Sequence, residues 1–183
     1  MEKITLQSLL SKDIRGKVIC FPTDTVYGVG AMVDDLESIN RIFKMKERDS
    51  SKPLAILTPN SNIYEYVEEV NPEAKRLMDE GWPGALTLIF KKSENINDLI
   101  TKGFPTIAFR MPNSKIALSI LNKFGLMATT SVNISGSSPL NSVEEIEKAF
   151  YNEIDYIVTE TESLSKNPSR IIDVTTCPSK IIR

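Results

Sequence analysis

Short apolar runs rich in β-formers alternate along this chain with segments whose apolar residues recur at helical spacing. The first such pair is a predicted buried strand at 17–22 (KVICFP) and a predicted helix within 34–48, whose apolar face runs from Leu36 to Phe43. Several later strands follow one another too closely for every connection to be a parallel crossover. The alternation therefore predicts an α/β domain with a mixed sheet.

Cap and turn residues mark the other predicted elements. A helix is predicted at 71–81, with Asn71 as its N-cap, and another at 114–125, with Ser114 as its cap. SVEEIEKAF reads as a third capped helix, and the polar stretch SENINDLITKGF is expected to connect two strands. The further predicted strands are PLAILTP, ALTLIFKK, TIAFRMP, LMATTSVN, DYIVTE, SRIIDVT and SKIIR.

The 183 residues fit one domain, 1–183. The sequence has neither a long apolar run nor a basic apolar leader, so we expect a soluble, cytoplasmic protein with no membrane association. The net charge of −2 argues against wholesale wrapping of nucleic acid, so an anion site must be built locally. Cys20 and Cys177 lack the CxxC spacing of metal or redox sites and are expected to be buried or reduced thiols.

Histidine is absent from the sequence. The usual Ser-His and Cys-His nucleophilic pairs are therefore excluded, and the common zinc sites lose their main nitrogen ligand. An enzyme built from this sequence needs a reaction that requires little general-base help. Transfers at phosphate fit, because there the protein contributes mainly positioning and electrostatic stabilisation. We expect Mg²⁺ to arrive with ATP, and we predict no metal-binding residues on the protein.

Two polar clusters follow predicted strands. PTDTVYG at 22–28 carries more hydroxyls than a turn requires, and it is expected to join a strand to a helix, with Gly28 and Gly30 permitting a close turn. TTSVNISGSSP at 129–139 fits two interpretations. It is either turn and cap chemistry or a loop whose hydroxyls, amide and backbone N–H groups hold a nucleotide or anion.

A basic run occupies 44–53, with four cations in KMKERDSSKP. Complementing the dipole at a helix C-terminus would explain Lys46 and Arg48. It does not explain why the run continues to Lys52, ahead of a predicted strand, where several cations could converge on one phosphate chain.

Standard phosphate-binding motifs are missing. GVGAMV has Val33 where a dinucleotide fingerprint requires its third glycine, and no GxxxxGK[ST] occurs. A nucleotide would have to be held by side chains scattered over several loops. Arg110, Ser169 and Arg183, which lie on or beside predicted strands, matter only jointly with the clusters above.

These residues together resemble the threonylcarbamoyl-AMP synthases of the YrdC-like fold. The resemblance implies a single domain in which a twisted mixed sheet, flanked by helices, encloses a concave basic cavity. It covers nearly the whole chain in the family's order, through PTDTVYG at 22–28, KER at 46–48 with KPL at 52–54, WPGALT at 82–87, AFRMP at 108–112, SVNISG at 131–136 and PSRIID at 168–173.

The resemblance implies a nucleotidyltransferase that converts L-threonine, bicarbonate and ATP to threonylcarbamoyl-adenylate and pyrophosphate. That product feeds the modification of an adenosine beside the anticodon of certain tRNAs. The implied partners are therefore downstream threonylcarbamoyl-transferase proteins and possibly tRNA itself. A threonine carbamate is already an anionic nucleophile, so its attack on the α-phosphate needs alignment and charge screening rather than a histidine base.

The family's functional residues transfer by motif. The defining KxR and SxN set, taken as catalytic, would be Lys46, Arg48, Ser131 and Asn133. ATP would be bound by Arg48, Lys52, Thr106, Ser131, Asn133 and Arg183, and threonine by Thr25, Arg110, Thr129 and Ser169. The guanidinium of Arg110 would face the threonine carboxylate. The variant Lys46→Ala is expected to lose turnover and keep its fold, since a lysine that is exposed or in a cavity rarely carries stability.

Three positions depart from the family pattern. Leu57 stands where many members carry a histidine, so one threonine contact would be made differently. Ala85 replaces a proline, which should matter little, and Arg170 replaces a threonine at the edge of the threonine pocket.

Two other functions are compatible with the same fold. One is an RNA-binding module without catalysis, but aromatic residues make up only 7% of the chain, which makes base stacking poor. The other is a carbamoyltransferase-type domain that uses carbamoyl phosphate. In larger proteins that domain occurs with zinc-binding cysteines, whose spacing this sequence lacks.

Overall fold

A ten-stranded mixed sheet runs through the protein, and the computed structural model describes residues 1–46 and 52–183. The strands are β1 (Glu2–Ile4), β2 (Ile19–Pro22), β3 (Tyr27–Met32), β4 (Ala55–Leu57), β5 (Leu86–Lys91), β6 (Thr106–Arg110), β7 (Met127–Ser131), β8 (Tyr156–Val158), β9 (Arg170–Asp173) and β10 (Lys180–Ile181). The helices are α1 (Leu6–Leu10), α2 (Leu36–Met45), α3 (Pro72–Gly81), α4 (Asp98–Thr101), α5 (Lys115–Phe124) and α6 (Val143–Phe150).

The strand order across the sheet is β1-β8-β2-β3-β7-β4-β6-β5-β9-β10. The pairs β1–β8, β8–β2, β4–β6 and β5–β9 are parallel. The pairs β2–β3, β3–β7, β7–β4, β5–β6 and β9–β10 are antiparallel. This arrangement confirms the predicted mixed sheet of an α/β domain.

The two faces of the sheet build two apolar clusters, because successive side chains of a strand point to opposite sides. Tyr27 and Val29 of β3 pack in one cluster with Ile39 and Ile42 of α2. The second cluster joins residues of β2, β4 and β7 to α1 and α5, and Met127 belongs to it. The helices therefore lie on both sides of the sheet.

Helix caps follow the sequence signals. Asn71 accepts a hydrogen bond from Ala74 N and Ser114 from Ala117 N, as their cap positions predict. Three short elements, β1, α1 and α4, were not predicted; they contain only three, five and four residues. The two helices among them have local caps, Thr5 for α1 and Asn97 for α4, and α1 is also held by a distant group, since both carboxylate oxygens of Glu160 accept from Leu6 N.

The expectation that PTDTVYG joins a strand to a helix is wrong. Pro22 ends β2 and pairs with Tyr27, the first residue of β3, so the motif turns one antiparallel strand into the next. The prediction that Gly28 and Gly30 permit a close turn is also wrong, because both lie within β3. A Cβ on Gly30 would lie 2.9 Å from Thr129 Oγ1 and one on Gly28 would lie 3.1 Å from Thr129 Cγ2, so these glycines make room for the Thr129 side chain.

The two cysteines differ in environment. Cys20 is buried, as expected, whereas Cys177 is exposed, and both are free thiols. Within residues 1–46 and 52–183, no helix has the length and apolar character needed to cross a bilayer.

Candidate active site

A buried lysine joins the end of α2 to the loop that follows β7. Lys46 Nζ donates hydrogen bonds to the Ser131 carbonyl at 2.5 Å, to the Asn133 carbonyl at 2.8 Å and to Asn133 Oδ1 at 2.7 Å. Its own carbonyl accepts from Ser135 N at 3.0 Å. Lys46 is 1% exposed, so its charge is removed from water and is compensated by these oxygens.

Asn133 completes the same network. Its Oδ1 also accepts from Ser131 Oγ at 2.8 Å, and its Nδ2 donates to the Ser137 carbonyl at 2.7 Å. Both ends of the amide are thereby satisfied by protein groups. The KxR and SxN segments, predicted as one catalytic set, are thus connected through Lys46 and Asn133.

The reason given for the expected fold of Lys46→Ala is wrong, because this lysine is neither exposed nor in a cavity. Three hydrogen bonds to backbone and amide oxygens hold its ammonium in the interior. The structure gives Lys46 and Asn133 a positioning role for the 131–137 loop. Their contact with a substrate stays a prediction, and Arg48 lies outside the described residues.

Strand register places two predicted ATP ligands at the same end of the sheet. Ala55 at the start of β4 pairs with Thr129 on one side and with Ala108 on the other. Ser131 and Thr106 each lie two residues farther toward that end, and Lys52 precedes β4 there. Ser131 and Thr106 on the two neighbouring strands therefore lie at the end of β4 that Lys52 precedes.

Arg110, at the end of β6, is in contact with one other predicted threonine ligand, Thr25. Its Nε donates to the Gly84 carbonyl at 3.0 Å, Nη1 to Thr25 Oγ1 at 2.7 Å, and Nη2 to Asp24 Oδ1 at 2.5 Å. Arg110 is 7% exposed. The guanidinium is therefore fixed by two segments that are far apart in sequence, the turn that carries Asp24 and Thr25 and the loop that carries Gly84.

Thr25 is buried, and its hydroxyl lies 3.0 Å from that of Thr23. Thr23 Oγ1 also donates to the Val26 carbonyl at 2.7 Å. The hydroxyls of PTDT therefore shape their own turn, and Thr25 orients Arg110. Thr129 Oγ1 donates to the Met127 carbonyl at 3.0 Å and lies over the two glycines of β3.

Ser169 and Arg183, two further predicted ligands, are in contact with each other. The Ser169 hydroxyl is 2.8 Å from that of Thr87, and its carbonyl accepts from Arg183 Nε at 3.1 Å and Nη2 at 3.0 Å. Ser169 connects β5 and the start of β9 to the last residue of the chain.

Two positive groups, Arg110 and Arg183, and one negative group, Asp24, determine the local electrostatics. Burial lowers the pKa of the Arg110 guanidinium, the Asp24 carboxylate opposes that shift, and the charge of Arg183 lowers the pKa further. Burial also lowers the pKa of Arg183. Two arginines close enough to interact favour the binding of an anion between them.

The predicted threonine ligands Thr25 and Arg110 are in direct contact, while Ser169 is joined to Thr87 and Arg183. Leu57, which stands in place of the family's histidine, pairs with Arg110 across β4 and β6 and therefore lies at the expected site. Sequence reasoning missed Asp24 and Thr87. Both lie inside motifs that it quoted, PTDTVYG and WPGALT, but neither motif indicates the contact that its residue makes.

Two cavities are lined by other residues. One, of about 510 Å³, is lined by residues such as Met32, Tyr66 and Phe124, and the other, of about 300 Å³, by residues such as Tyr27 and Lys166. Neither is lined by a predicted site residue. In the described parts of the chain no cluster of three or more Cys, Asp or Glu side chains could hold a metal ion.

Comparison with known proteins identifies the family. The model of the Sua5/YciO/YrdC family, described as "Telomere recombination", matches residues 14–183. The chain belongs to this family. The match spans most of the chain, including the predicted site residues, and confirms the resemblance drawn from the motifs.

Relatives with curated names agree. The threonylcarbamoyl-AMP synthase of Pyrococcus abyssi is 37% identical over 170 residues, which cover 92% of this chain and 50% of that protein. A putative threonylcarbamoyl-AMP synthase of Methanocaldococcus jannaschii is 33% identical, with coverage of 94% and 81%. The chain thus spans about half the length of the first relative and most of the second.

The fold agrees with a solved member of the family. The crystal structure of P. abyssi Sua5 complexed with L-threonine superposes with a TM-score of 0.91 at 35% identity, covering 100% of this chain and 55% of that one. The twisted open sheet flanked by helices is therefore the fold of this family.

Proposed function

We propose that this chain is a threonylcarbamoyl-AMP synthase, a nucleotidyltransferase that condenses L-threonine, bicarbonate and ATP to threonylcarbamoyl-adenylate and pyrophosphate. The observation that carries the proposal is the match over the full chain to a Sua5 structure complexed with L-threonine. The names of the curated relatives support the same reaction and do not favour the RNA-binding alternative.

Arg110 is the proposed ligand of the threonine carboxylate. A guanidinium that is already oriented by Gly84 and Thr25 loses little conformational entropy when a carboxylate binds. Ser169 and Thr129 would line the same pocket. Arg183, held on the Ser169 carbonyl, would bring a second positive charge toward the junction of the two substrates.

ATP is proposed to lie along the other end of the sheet, with Ser131, Thr106 and Lys52 as ligands and Arg48 extending the basic run. Lys46 and Asn133 would hold the 131–137 loop in register for the nucleotide. Magnesium is treated as part of the MgATP substrate, with no protein ligands assigned to it.

The chemical step would consist of attack by the carbamate oxygen of N-carboxy-threonine on the α-phosphorus. An O–P bond forms while the bond to pyrophosphate breaks, and the electron pair leaves with pyrophosphate. Cations near the α-phosphate would screen the repulsion between two anions, which is where most of the catalytic effect is expected. This step needs no base, which agrees with the absence of histidine.

The proposed product would pass to downstream threonylcarbamoyl-transferase proteins that modify tRNA, and direct contact with tRNA belongs to the same proposal. A cytoplasmic location, where ATP and tRNA are both present, follows from this role.

The test is pyrophosphate release from ATP by the purified protein, with threonine and bicarbonate omitted in turn. We expect release only when all three substrates are present. Ser131→Ala should raise the KM for ATP, and Lys44→Ala, a change on the exposed side of α2, serves as the control. Release that ignores threonine, or salt-dependent tRNA binding without ATP turnover, would contradict the proposal.

A further inference from the structure

Asp24, a residue without a role in the reaction described so far, forms an ion pair with Arg110. The Nη2–Oδ1 distance is 2.5 Å, and the side chains of Arg110 and Asp24 are 8% and 17% exposed. Charges that are largely withdrawn from water interact strongly with any charge that binds next to them. The pair therefore influences which ligands the Arg110 site accepts.

Arg110 retains hydrogen-bonding capacity in this arrangement. A guanidinium has five N–H groups, and three of them reach Gly84 O, Thr25 Oγ1 and Asp24 Oδ1. Among the residues that the structure describes, one N–H on each terminal nitrogen is left without an acceptor. These two groups are available to a ligand carboxylate.

Asp24 has capacity of its own. Its Oδ2 accepts no hydrogen bond from any residue in the described ranges, and the side chain keeps some exposure. Its backbone is held in place, because its carbonyl accepts from Ser165 N at 3.1 Å and the next carbonyl, that of Thr25, accepts from Lys166 N at 2.9 Å. A fixed hydrogen-bond acceptor that carries a negative charge therefore lies directly beside the proposed carboxylate-binding group, Arg110.

Charge decides which ligand suits this pair. Arg183 lies close enough to Arg110 to add a second positive charge, but a simple carboxylate bound to Arg110 would still face the Asp24 carboxylate, and the repulsion from Asp24 would weaken its binding. An α-amino acid brings an ammonium group one carbon away from its carboxylate. Its two charges can face Arg110 and Asp24 at the same time.

We propose that Asp24 and Arg110 form a zwitterion-recognition pair for the free amino acid, before its nitrogen is carboxylated, in which Arg110 binds the α-carboxylate and Asp24 the α-ammonium. This inference rests on the proposed function and deepens it. Asp24 is then a specificity residue, which selects amino acids over the corresponding acids that lack the amino group.

Calorimetric titration with two ligands tests the pair. L-threonine and 3-hydroxybutyrate differ by the α-amino group alone, so their affinity ratio measures recognition of the ammonium. The wild-type protein should prefer threonine by about 10-fold or more. Asp24→Asn keeps an oxygen for Arg110 Nη2 but removes the charge. It should therefore weaken the binding of threonine by about 10-fold, while 3-hydroxybutyrate binds as well as before or better.

Asp34→Asn is the matched control, since Asp34 is an exposed acid whose ion pair with Arg15 spans 3.7 Å. It should leave both affinities unchanged. If Asp24 has a merely structural role, Asp24→Asn should weaken the binding of both ligands by the same factor, and that result would overturn the inference. If that variant fails to fold, the wild-type ratio decides, because equal affinities for the two ligands also overturn it.

The outcomes separate this inference from the proposed function. If Asp24→Asn binds threonine as tightly as wild type while pyrophosphate release continues, the inference fails and the synthase stands. If the wild-type protein binds another amino acid, such as L-serine, in an Asp24-dependent manner and releases no pyrophosphate with threonine, the inference stands and the synthase fails. Binding of no zwitterion by the wild type would overturn both.

Discussion

Lys46 Nζ donates hydrogen bonds to both oxygens of Asn133, the carbonyl at 2.8 Å and Oδ1 at 2.7 Å. The contact joins the C-terminal end of α2 to the loop after β7, across 87 positions of sequence. Lys46 of the KxR motif and the SxN motif, which lie far apart in sequence, are therefore joined in one buried network. Damage to either motif should disturb the other.

Replacing Lys46 should cost stability as well as activity. Lys46→Met keeps an unbranched side chain but removes the donor to the Ser131 and Asn133 carbonyls and leaves Asn133 Oδ1, among the described residues, with the Ser131 hydroxyl alone, and we expect a loss of about 2–4 kcal/mol. Urea unfolding measures it. Lys44→Met, on the exposed side of the same helix, should change stability by less than about 0.5 kcal/mol. An unfolding midpoint unchanged in Lys46→Met would show that the network contributes nothing to folding.

Gly30→Ala should destabilise the sheet where β3 faces β7. The new Cβ would lie 2.9 Å from Thr129 Oγ1 and 3.1 Å from the Ala128 carbonyl, and the backbone oxygen cannot rotate away. We expect a loss of about 1–3 kcal/mol in thermal or urea unfolding. Thr129→Ala in the same background should recover part of it, because it removes the closer contact. Wild-type stability in Gly30→Ala would contradict this packing.

Asp35 should contribute a pH-dependent part of stability. Burial by itself would raise its pKa, but hydrogen bonds from Ser38 and Gly16, together with the charge of Arg41, lower it below the ordinary 3.8. Because the folded-state pKa is the lower one, the ionised group stabilises the protein above pH 3.8, and this contribution is lost as the pH falls through the folded-state value.

Asp35→Asn should therefore be less stable than wild type at pH 7 by about 0.3–1 kcal/mol, the range for a charge at a helix N-terminus. The difference should narrow below pH 3.8. Urea unfolding of both proteins at pH 7, 5 and 3.5 measures it. A difference that stays constant over this range would mean that the charge of Asp35 is not involved.

The two thiols should react at very different rates. Burial raises the pKa of the Cys20 thiol, which keeps it protonated and shielded, whereas Cys177 is exposed. A chromogenic disulfide reagent should modify one equivalent quickly in the native protein and a second only in urea. Cys177→Ser should remove the fast phase, and a fast phase that persists in this variant would place Cys20 within reach of solvent.

The regular elements were predictable because their signals are local. Asn71 and Ser114 cap helices where the sequence places them. On the predicted apolar face of α2, the residues from Ile39 to Phe43 that face the core are buried, whereas Leu36 at its start is 37% exposed. The signals fail where distant contacts decide. Thr5 caps α1 locally, but Leu6 N at the start of the helix also donates to the distant Glu160 carboxylate, and no feature of the five helical residues indicates that partner.

The candidate site shows the same division. Motif resemblance identified Arg110 and Thr25, which are in contact, but the partner Asp24 followed only from the position of the guanidinium. Residue type suggested an accessible Lys46, since lysine is seldom buried. Its burial depends on oxygens of Ser131 and Asn133 that lie far away in sequence, so no local pattern could indicate it.

The most direct test of the proposed synthase is the fate of carbon from bicarbonate. The protein is incubated with ATP, L-threonine and ¹³C-bicarbonate, and the adenylate product is analysed at once by mass spectrometry. We expect a threonine-containing adenylate that carries one ¹³C atom. A threonine adenylate without the label, or no adenylate while threonine still binds, would contradict the synthase and leave this chain a threonine-binding member of the family.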